Sequence, residues 1–328
     1  MSDRVNYRSE LLFNRLSKRK KHLSKWAKRT GTNAFRLYDR DIPEIPLVLD
    51  FYEDSVSGAL FNRNGEEEIS EKTSLIRNYT AAVSAALKID QSHIFIKERR
   101  RMRQRHIDAK QYQKISGTGF TRNVYEGEMK FIVNLSDYLD TGLFLDSRKK
   151  RAMIKSEAGE KRVLNLFAYT CSLSIAAALG GASAVDSVDL SNTYLNWGKA
   201  NFELNDLETG ELSGGKPFSF IREDVMEFIT KAIKTKEKWD IIILDPPSFS
   251  NSKKMRGSLD IKRDYIDLIH RSLTLLNKGG KLWFSSNARR INFMEEDYPG
   301  CRITNMQKIL IDEDFIGKRT PICYIIEK

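Results

Sequence analysis

The sequence predicts an α/β protein built on a doubly wound parallel sheet, with a smaller α+β domain and a basic N-terminal helical segment. Three observations support this prediction. Residues 1–34 are helical in pattern and strongly basic, residues 35–135 mix helix and strand signals, and residues 136–328 alternate short apolar strands with longer helices. We therefore expect three domains with these boundaries.

The first segment combines an apolar helix face with a dense run of positive charge. Its large apolar residues share helical spacing: Leu11, Leu12, Leu16, Leu23 and Trp26. Residues 15–29 read RLSKRKKHLSKWAKR, and further basic runs follow at 97–105 and 148–155. With a net charge of +11, such clusters suit a polyanion such as RNA, although solvated helix faces give the same pattern. The predicted RNA-binding residues are Lys18, Arg19, Lys20, Lys21, Arg99, Arg100, Arg101, Arg103 and Arg105.

The second segment has the pattern of a small α+β domain. LVLDFYEDSVSGALF (47–61) alternates like a β-hairpin, and Ile76–Leu87 has helical spacing. HIFIKER (93–99) and KFIVNL (130–135) are typical of strands, and a polar, basic loop separates them. Together with the basic runs, this pattern predicts a domain that recognises RNA.

The third segment has the pattern of a parallel sheet covered by helices on both faces. The predicted strands are Val163–Phe167, Ala184–Asp189, Phe218–Arg222, Asp240–Leu244 and Lys281–Ser285. The predicted helices are Ser172–Leu179, Asn192–Leu204, Val225–Lys234 and Leu259–Leu276. Such sheets bind ligands at the carboxyl ends of their strands, so the residues after each strand form the candidate site.

The loop after the first of these strands reads NLFAYTCSLSIAAALGGA and lacks the glycine pattern of a dinucleotide site. A pyrophosphate needs glycines for close approach of the backbone, which argues against NAD and a nicotinamide oxidoreductase. A cofactor without phosphates that carries a zwitterionic amino-acid group would tolerate Tyr169, Thr170 and Ser172. An ordinary strand–helix turn explains this stretch equally well.

Acidic residues end the next two strands. Asp189 lies where a carboxylate could accept hydrogen bonds from both hydroxyls of a ribose, and Asp224 lies where it could accept one from an adenine amino group. Helix capping is the alternative for Asp224, and Ser191 is the better capping candidate after Asp189.

The fourth strand ends in Asp245-Pro246-Pro247-Ser248-Phe249. The carboxylate and the carbonyl groups near the prolines are acceptors without a competing donor, and the prolines restrict their geometry. Phe249 offers a ring on which an unpaired base could stack. This combination predicts that a nucleobase is held beside the cofactor, although a plain strand terminator would have the same sequence.

Composition excludes several classes of protein. No window approaches the ~20 apolar residues of a membrane span, and the N-terminus lacks the apolar region of a secretory signal. Cys171, Cys301 and Cys323 are widely spaced, which fits neither a disulfide framework nor a zinc site. We therefore expect a cytoplasmic protein without a bound metal and without membrane contact.

Taken together, NLFAYTCS (165–172), VDLS (188–191), RED (222–224) and DPPSF (245–249) resemble class I S-adenosylmethionine-dependent methyltransferases. LSDYLDTGLFLDSR (135–148) and DPPSFSNSKKM (245–255) narrow this resemblance to the guanine-N7 methyltransferases of large-subunit (23S) ribosomal RNA, the RlmK family. In some bacteria that domain is the carboxyl half of a fused enzyme. The basic N-terminal stretch and QYQK (111–114) also match, so the resemblance covers essentially the whole chain.

The resemblance implies a Rossmann-like fold and S-adenosylmethionine as the cofactor. The implied cofactor-binding residues are Asp146, Arg148, Asn165, Phe167, Tyr169, Thr170, Ser172, Asp189, Ser191, Asp224 and Asp245. The implied catalytic residues, which would meet the target base, are Asp245, Pro246, Pro247 and Phe249. One departure is Cys171, where the family more often has glycine; a positive φ there would cost about 1 kcal/mol.

The residues alone leave three alternatives to methylation of guanine N7. An Asp-Pro-Pro-aromatic motif by itself suggests an exocyclic amine, either guanine N2 or adenine N6. Cytosine C5 is disfavoured because that chemistry needs a cysteine nucleophile and Ser286 occupies the relevant position. A non-catalytic RNA-binding assembly factor is the third. The implied partners are 23S rRNA or a preribosomal large-subunit particle, and a separate protein corresponding to the other half of the fused enzymes.

Overall fold

The computed structural model describes residues 2–61, 69–99, 116–208, 217–250, 259–288 and 291–328. Its chain divides into two compact units. The first comprises Met1–Glu128, Val133–Thr141 and Glu313–Lys318, and the second comprises Met129–Ile132, Gly142–Asp312 and Arg319–Lys328. The three-domain boundaries expected from the sequence remain a prediction.

The first unit contains a four-stranded sheet packed against two helices. Its elements are α1 (Ser2–Thr30), β1 (Ala34–Asp39), β2 (Leu47–Tyr52), β3 (Ser55–Phe61), α2 (Ile69–Leu87), β4 (Ile94–Arg99) and β5 (Thr121–Glu126). The sheet order is β1-β2-β3-β4, and only β3 and β4 pair in parallel. Leu12, Leu16 and Leu23 of α1 are fully buried in one core with Phe35 and Leu49. The apolar face predicted for the N-terminal helix therefore packs into this core.

The second unit contains a seven-stranded sheet with helices. Its elements are β6 (Met129–Asn134, of which Met129–Ile132 belong here), α3 (Arg148–Glu157), β7 (Arg162–Leu166), α4 (Ser172–Leu179), β8 (Ala184–Asp189), α5 (Asn192–Leu204), β9 (Phe218–Arg222), α6 (Val225–Lys234), β10 (Trp239–Leu244), β11 (Phe249–Ser250), β12 (Leu259–Asp260), α7 (Ile261–Thr274), β13 (Leu276–Ser286), β14 (Arg302–Asn305) and β15 (Ile322–Glu327). None of the helices in the described ranges is long and apolar enough to cross a membrane.

The order of the large sheet is β14-β15-β13-β10-β7-β8-β9. Strands β9, β8, β7, β10 and β13 pair in parallel, and β15 runs antiparallel to both β13 and β14. The chain builds outward from β7 to β8 and β9, and then returns to add β10 on the other side of β7. The topological switch point therefore lies between β7 and β10, where doubly wound sheets bind their ligands.

The predicted fold class is confirmed, and several boundaries agree with the sequence. β8, β9, α4, α5 and α6 begin and end at the predicted residues. The elements that were not predicted include α3, β14 and β15, the strands β1 and β5 of the first unit, and the short strands β11 and β12. Helix α3 was missed because most residues on its buried side are basic, namely Arg148, Lys150 and Arg151 beside Ile154.

Candidate active site

The loop after β7 has a strained backbone. Phe167, Tyr169 and Cys171 have positive φ angles of 60°, 52° and 61°. Each such angle costs a residue other than glycine roughly 1–3 kcal/mol, and strained residues cluster at functional sites. The sequence left open whether Cys171 has a positive φ; it does, and so do Phe167 and Tyr169. This loop is therefore a candidate ligand site.

Asp189, the last residue of β8, anchors this loop through main-chain hydrogen bonds. The N–H of Tyr169 donates to Oδ2 at 2.9 Å, and the N–H of Ser191 donates to Oδ1 at 2.8 Å. Burial raises the pKa of the Asp189 carboxyl, and the N–H donors oppose that rise. Each carboxylate oxygen can accept a second hydrogen bond, so Asp189 can still bind hydroxyl groups.

Two buried polar side chains belong to this region: Asn165 precedes the strained backbone and Thr170 lies within it. Thr170 is fully buried and its hydroxyl donates to the carbonyl of Gly142 at 2.6 Å. Asn165, on β7, is 1% exposed and its Nδ2 donates to Oγ of Ser174 at 2.8 Å. Within the described part of the chain, Oδ1 of Asn165 accepts no hydrogen bond. A buried acceptor without a donor indicates a place where a ligand or water supplies one.

The next two candidate residues, Ser191 and Asp224, each cap the N-terminus of a helix. Oγ of Ser191 accepts from the N–H of Tyr194 at 3.4 Å and caps α5. Oδ1 of Asp224 accepts from the N–H groups of Met226 and Glu227 at 2.9 and 3.2 Å and caps α6. Capping is therefore present at both residues. Among the described contacts none involves Oδ2 of Asp224, so this carboxylate can cap a helix and also bind an amino group.

These residues fit S-adenosylmethionine. The ends of β7, β8 and β9 together with residues 167–171 offer a strained main-chain loop, the unpaired Oδ1 of Asn165, and carboxylates with open acceptor positions at Asp189 and Asp224. An amino-acid group, a ribose and an adenine present the matching donors. We call this part of the site the cofactor end. Ser172 begins α4 beside it and is partly exposed.

The end of β10 has a different arrangement. Oδ2 of Asp245 accepts a hydrogen bond from Nζ of Lys150 at 2.9 Å, and the same Nζ donates to Oγ of Ser285 at 2.8 Å. The Lys150 side chain is 4% exposed and that of Asp245 is 28% exposed. Leu244 and Phe284 are register partners, so Asp245 and Ser285 end two neighbouring strands. Lys150 therefore joins the ends of β10 and β13, which we call the substrate end.

The rest of the Asp-Pro-Pro-Ser-Phe stretch has no regular secondary structure up to Ser248, where the chain bends. Pro246 is buried, Pro247 is half-buried and Ser248 is exposed. Phe249 begins the short strand β11, where it pairs with Asp260 of β12, and it is half-buried. The ring is thus partly accessible, as base stacking requires.

Asp146 and Arg148, assigned by resemblance to the cofactor's amino-acid end, have other observed surroundings. A cavity of about 20 Å³ is lined by Asp146, Ser147 and Thr320 together with Lys150 and Ser285, which places Asp146 next to the substrate end. Nη1 of Arg148 donates to Asp312 at 2.9 Å in a largely buried ion pair. Their cofactor contacts remain a prediction.

Two of the three cysteines, Cys171 and Cys323, are buried, and their burial does not favour cytosine C5 chemistry. Burial raises the pKa of the Cys171 thiol to about 12, and burial raises that of the Cys323 thiol to about 12 as well. A nucleophilic cysteine has to be a thiolate, so neither thiol is suited to attack at neutral pH. Ser286, at the position where the C5 chemistry would need cysteine, is 1% exposed and accepts from the N–H of Ala288 at 3.1 Å.

The predicted RNA-binding residues divide into three groups. Lys18 and Lys21 are exposed on α1. Arg19 donates to the carbonyl groups of Leu37 and Asp314, Lys20 lies over the ring of Phe51, and Arg99 pairs with Asp140. Burial lowers the pKa of Lys20 to about 8. Arg100, Arg101, Arg103 and Arg105 lie outside the described residues.

Sequence reasoning missed Lys150. It counted this residue in the basic run 148–155, which was expected to suit a polyanion such as RNA or to face solvent, whereas the structure buries it against Asp245. Its sequence signal is indirect: Arg148, Arg151 and Ile154 recur every three residues, as on one helix face, and Lys150 neighbours them. No apolar-pattern rule assigns a lysine to a core.

Comparison with known proteins shows the family of this chain. A family model described as S-adenosylmethionine-dependent methyltransferase matches residues 36–298. Ribosomal RNA large subunit methyltransferase K of Neisseria meningitidis is 40% identical over 316 residues, covering 95% of this chain and 86% of that protein. Ribosomal RNA large subunit methyltransferase K/L of Pseudomonas fluorescens is 39% identical over 313 residues, covering 95% of this chain and 40% of that protein. The chain thus spans about two fifths of the length of the K/L relatives.

Solved structures share the fold at lower identity. A methyltransferase crystallised with S-adenosylhomocysteine, SMU.776, has a TM-score of 0.73 at 23% identity and is covered for 82% of its chain and 98% of this one. An S-adenosylmethionine-dependent methyltransferase from Streptococcus mutans has a TM-score of 0.72, also at 23% identity, and is covered for 81% of its chain and 98% of this one. The chain belongs to the S-adenosylmethionine-dependent methyltransferase family.

Proposed function

We propose that this chain transfers a methyl group from S-adenosylmethionine to a guanine N7 of 23S rRNA. The observation that carries the proposal is the substrate end: Asp245, two prolines and a half-buried Phe249 follow the strand next to the topological switch point. The K and K/L relatives are named for the large-subunit ribosomal RNA. The choice of N7 over an exocyclic amine comes from the resemblance to the RlmK family.

The proposed mechanism assigns one task to each group. The cofactor, when bound, supplies an electrophilic methyl group on a sulfonium. N7 of guanine has a free lone pair, so no residue has to remove a proton before the attack. Phe249 stacks on the base, and Asp245 accepts a hydrogen bond from its edge and stabilises the positive charge that develops on the ring. Pro246 and Pro247 keep the chain around the carboxylate in one conformation.

RNA would be attracted by the exposed face of α1. Four lysines of α1 follow a spacing of three and four residues, which aligns them along one side of the helix, and all four are exposed: Lys18, Lys21, Lys25 and Lys28. Such a row of charges can neutralise several phosphates.

The proposed substrate is 23S rRNA or a preribosomal large-subunit particle, in the cytoplasm. The same proposal includes a separate partner protein, which would correspond to the part of the K/L relatives that this chain does not match.

The product identifies the reaction. Purified chain, methyl-labelled S-adenosylmethionine and large-subunit rRNA should yield 7-methylguanosine on nucleoside mass spectrometry. Borohydride followed by aniline should cleave the RNA at one position. N2-methylguanosine or N6-methyladenosine would keep the methyltransferase and overturn the N7 assignment. Cofactor binding without any methylated RNA would favour the non-catalytic assembly factor.

A further inference from the structure

Lys150 is a buried ammonium group at the substrate end. Its Nζ lies 2.9 Å from Oδ2 of Asp245 and 2.8 Å from Oγ of Ser285, with 4% of the side chain exposed. Asp245 follows β10 and Ser285 lies near the end of β13, so one group from α3 contacts two neighbouring strands. No other lysine in the described ranges pairs with the Asp-Pro-Pro stretch.

Because Lys150 is buried, the stability of this ion pair depends on the presence of both charges. Removing one member of a buried ion pair leaves the other charge without compensation, which is far less favourable than removing both. Two fixed contacts also hold Nζ in place, and Nζ in turn holds Oδ2. An aspartate that continues into two prolines has a restricted backbone, so its remaining freedom is the rotation of its own side chain.

We propose that Lys150 is a positioning residue for methyl transfer: it binds Oδ2 of Asp245, stops the carboxylate from rotating and leaves Oδ1 for the target base. This inference rests on the proposed function. In the transfer step the bond from N7 to the methyl carbon forms, the carbon–sulfur bond breaks, and the sulfur keeps the electron pair. The positive charge moves from the sulfonium to the guanine, and no proton is transferred.

Asp245 contributes to the transfer through its negative charge, which stabilises the cationic base, and through the direction in which Oδ1 accepts a hydrogen bond. Lys150 controls that direction. Misplacing such a group by about 1 Å can cost roughly 100-fold in rate.

The test compares Lys150→Met with Lys150→Arg. Lys150→Met keeps the length of the side chain and removes the charge, so kcat should fall roughly 10–100-fold while the KM for RNA and the Kd for S-adenosylmethionine change less than about three-fold. Lys150→Arg restores a donor and a charge and should recover most of the lost kcat. Lys278→Met is the control, because Lys278 is exposed near the opposite end of β13. It should behave as wild type.

A double-mutant cycle protects the test against simple unfolding. Lys150→Met combined with Asp245→Asn removes both charges, so this variant should be folded even if Lys150→Met is not. Its kcat should equal that of Asp245→Asn alone, since Lys150 acts through Asp245. If the two substitutions lowered kcat independently, so that their effects multiplied in the double variant, the proposal would be overturned. A wild-type kcat in Lys150→Met would overturn it as well.

One readout does not depend on the target base. In a crystal structure of Lys150→Met, or of the double variant, the side chain at 245 should leave its wild-type rotamer. An unchanged rotamer would overturn the proposal even if N7 were the correct target. Conversely, an absence of methylated RNA with the wild-type chain, together with a rotated side chain in the variant, would overturn only the proposed function.

Discussion

The two ends of the site hold their carboxylates in different ways. At the cofactor end, Asp189 and Asp224 accept hydrogen bonds from main-chain N–H groups at 2.8 to 3.2 Å. At the substrate end, Asp245 is held by the side chain of Lys150. Main-chain donors stay in place when neighbouring side chains change, whereas one substitution in α3 removes the partner of Asp245. The cofactor end is therefore the more robust of the two to changes elsewhere in the chain.

At the cofactor end, the largest effect is expected from Asp189→Ala. The substitution removes a charge-assisted acceptor of ribose and leaves the N–H groups of Tyr169 and Ser191 without their partner, so affinity for S-adenosylmethionine should fall roughly ten-fold or more. Calorimetric titration measures the change, and NAD should not bind to the wild type. Wild-type affinity in Asp189→Ala would remove this residue from the cofactor end.

The raised pKa of Asp189 adds a pH test at the same residue. Because burial raises this pKa, the carboxyl takes up its proton at a higher pH than a free aspartate does. A carboxylate accepts both ribose hydroxyls better than a carboxylic acid, so cofactor affinity should fall as pH drops through that raised pKa. Asp189→Asn cannot ionise, and its weaker affinity should not change over the same range. Parallel curves for the two proteins would contradict this assignment.

Substitutions of Asp224 distinguish its role in helix capping from its role in cofactor binding, and their expected effects are smaller than those at Asp189. Asparagine caps helices as well as aspartate does, so Asp224→Asn should leave the thermal stability unchanged. It replaces one acceptor oxygen by a donor and should weaken cofactor binding several-fold, about 1 kcal/mol. Asp224→Ala should show the same loss of binding and a further loss of about 1 kcal/mol in stability. Equal cofactor affinity in Asp224→Asn and wild type would leave Asp224 with capping alone.

Charge reversal on α1 should leave both ends of the site unchanged. Lys18→Glu with Lys21→Glu should lower RNA affinity and reduce the salt dependence of binding by about one unit for each phosphate that the helix no longer neutralises. Cofactor affinity should stay at the wild-type value. Lys234→Glu with Lys236→Glu changes the same number of exposed charges and is the control. Identical salt slopes in both double variants would mean that α1 is only solvated surface.

The sequence predicted the sheet well because each strand is marked by a local pattern. Ile241, Ile242 and Ile243 form an apolar run that is buried on both faces, and Asp245 with two prolines marks its end. The candidate acidic residues after β8 and β9 were found for the same reason, since strand ends are set by the local pattern. The antiparallel insertion of β15 between β13 and β14 depends on long-range pairing, which no local pattern contains.

Basic residues were the harder part of the prediction. RKKRAMIK in α3 and SKRKKHLSK in α1 look alike as text, yet Lys150 and Arg148 are buried in ion pairs whereas Lys18 and Lys21 are exposed. Arg19 and Lys20, between those two exposed lysines, contact main-chain carbonyls and an aromatic ring. The sequence shows that a residue is charged, but not whether its side chain faces solvent or the core. Ion-pair partners such as Asp312 and Asp245 can therefore be identified only from the folded structure.

The most direct test of the account compares two variants of the Asp-Pro-Pro-Ser-Phe stretch in steady-state methylation of large-subunit rRNA. Phe249→Ala should raise the KM for RNA by an amount equivalent to ~1–3 kcal/mol, with kcat and cofactor affinity close to wild type. Asp245→Asn should lower kcat and leave the KM for RNA nearly unchanged. It is preferred to Asp245→Ala because asparagine keeps the shape and an amide oxygen that can still accept a hydrogen bond from Nζ of Lys150. Full activity in Asp245→Asn together with an unchanged KM in Phe249→Ala would contradict the account, because the stretch would then be only the end of a strand.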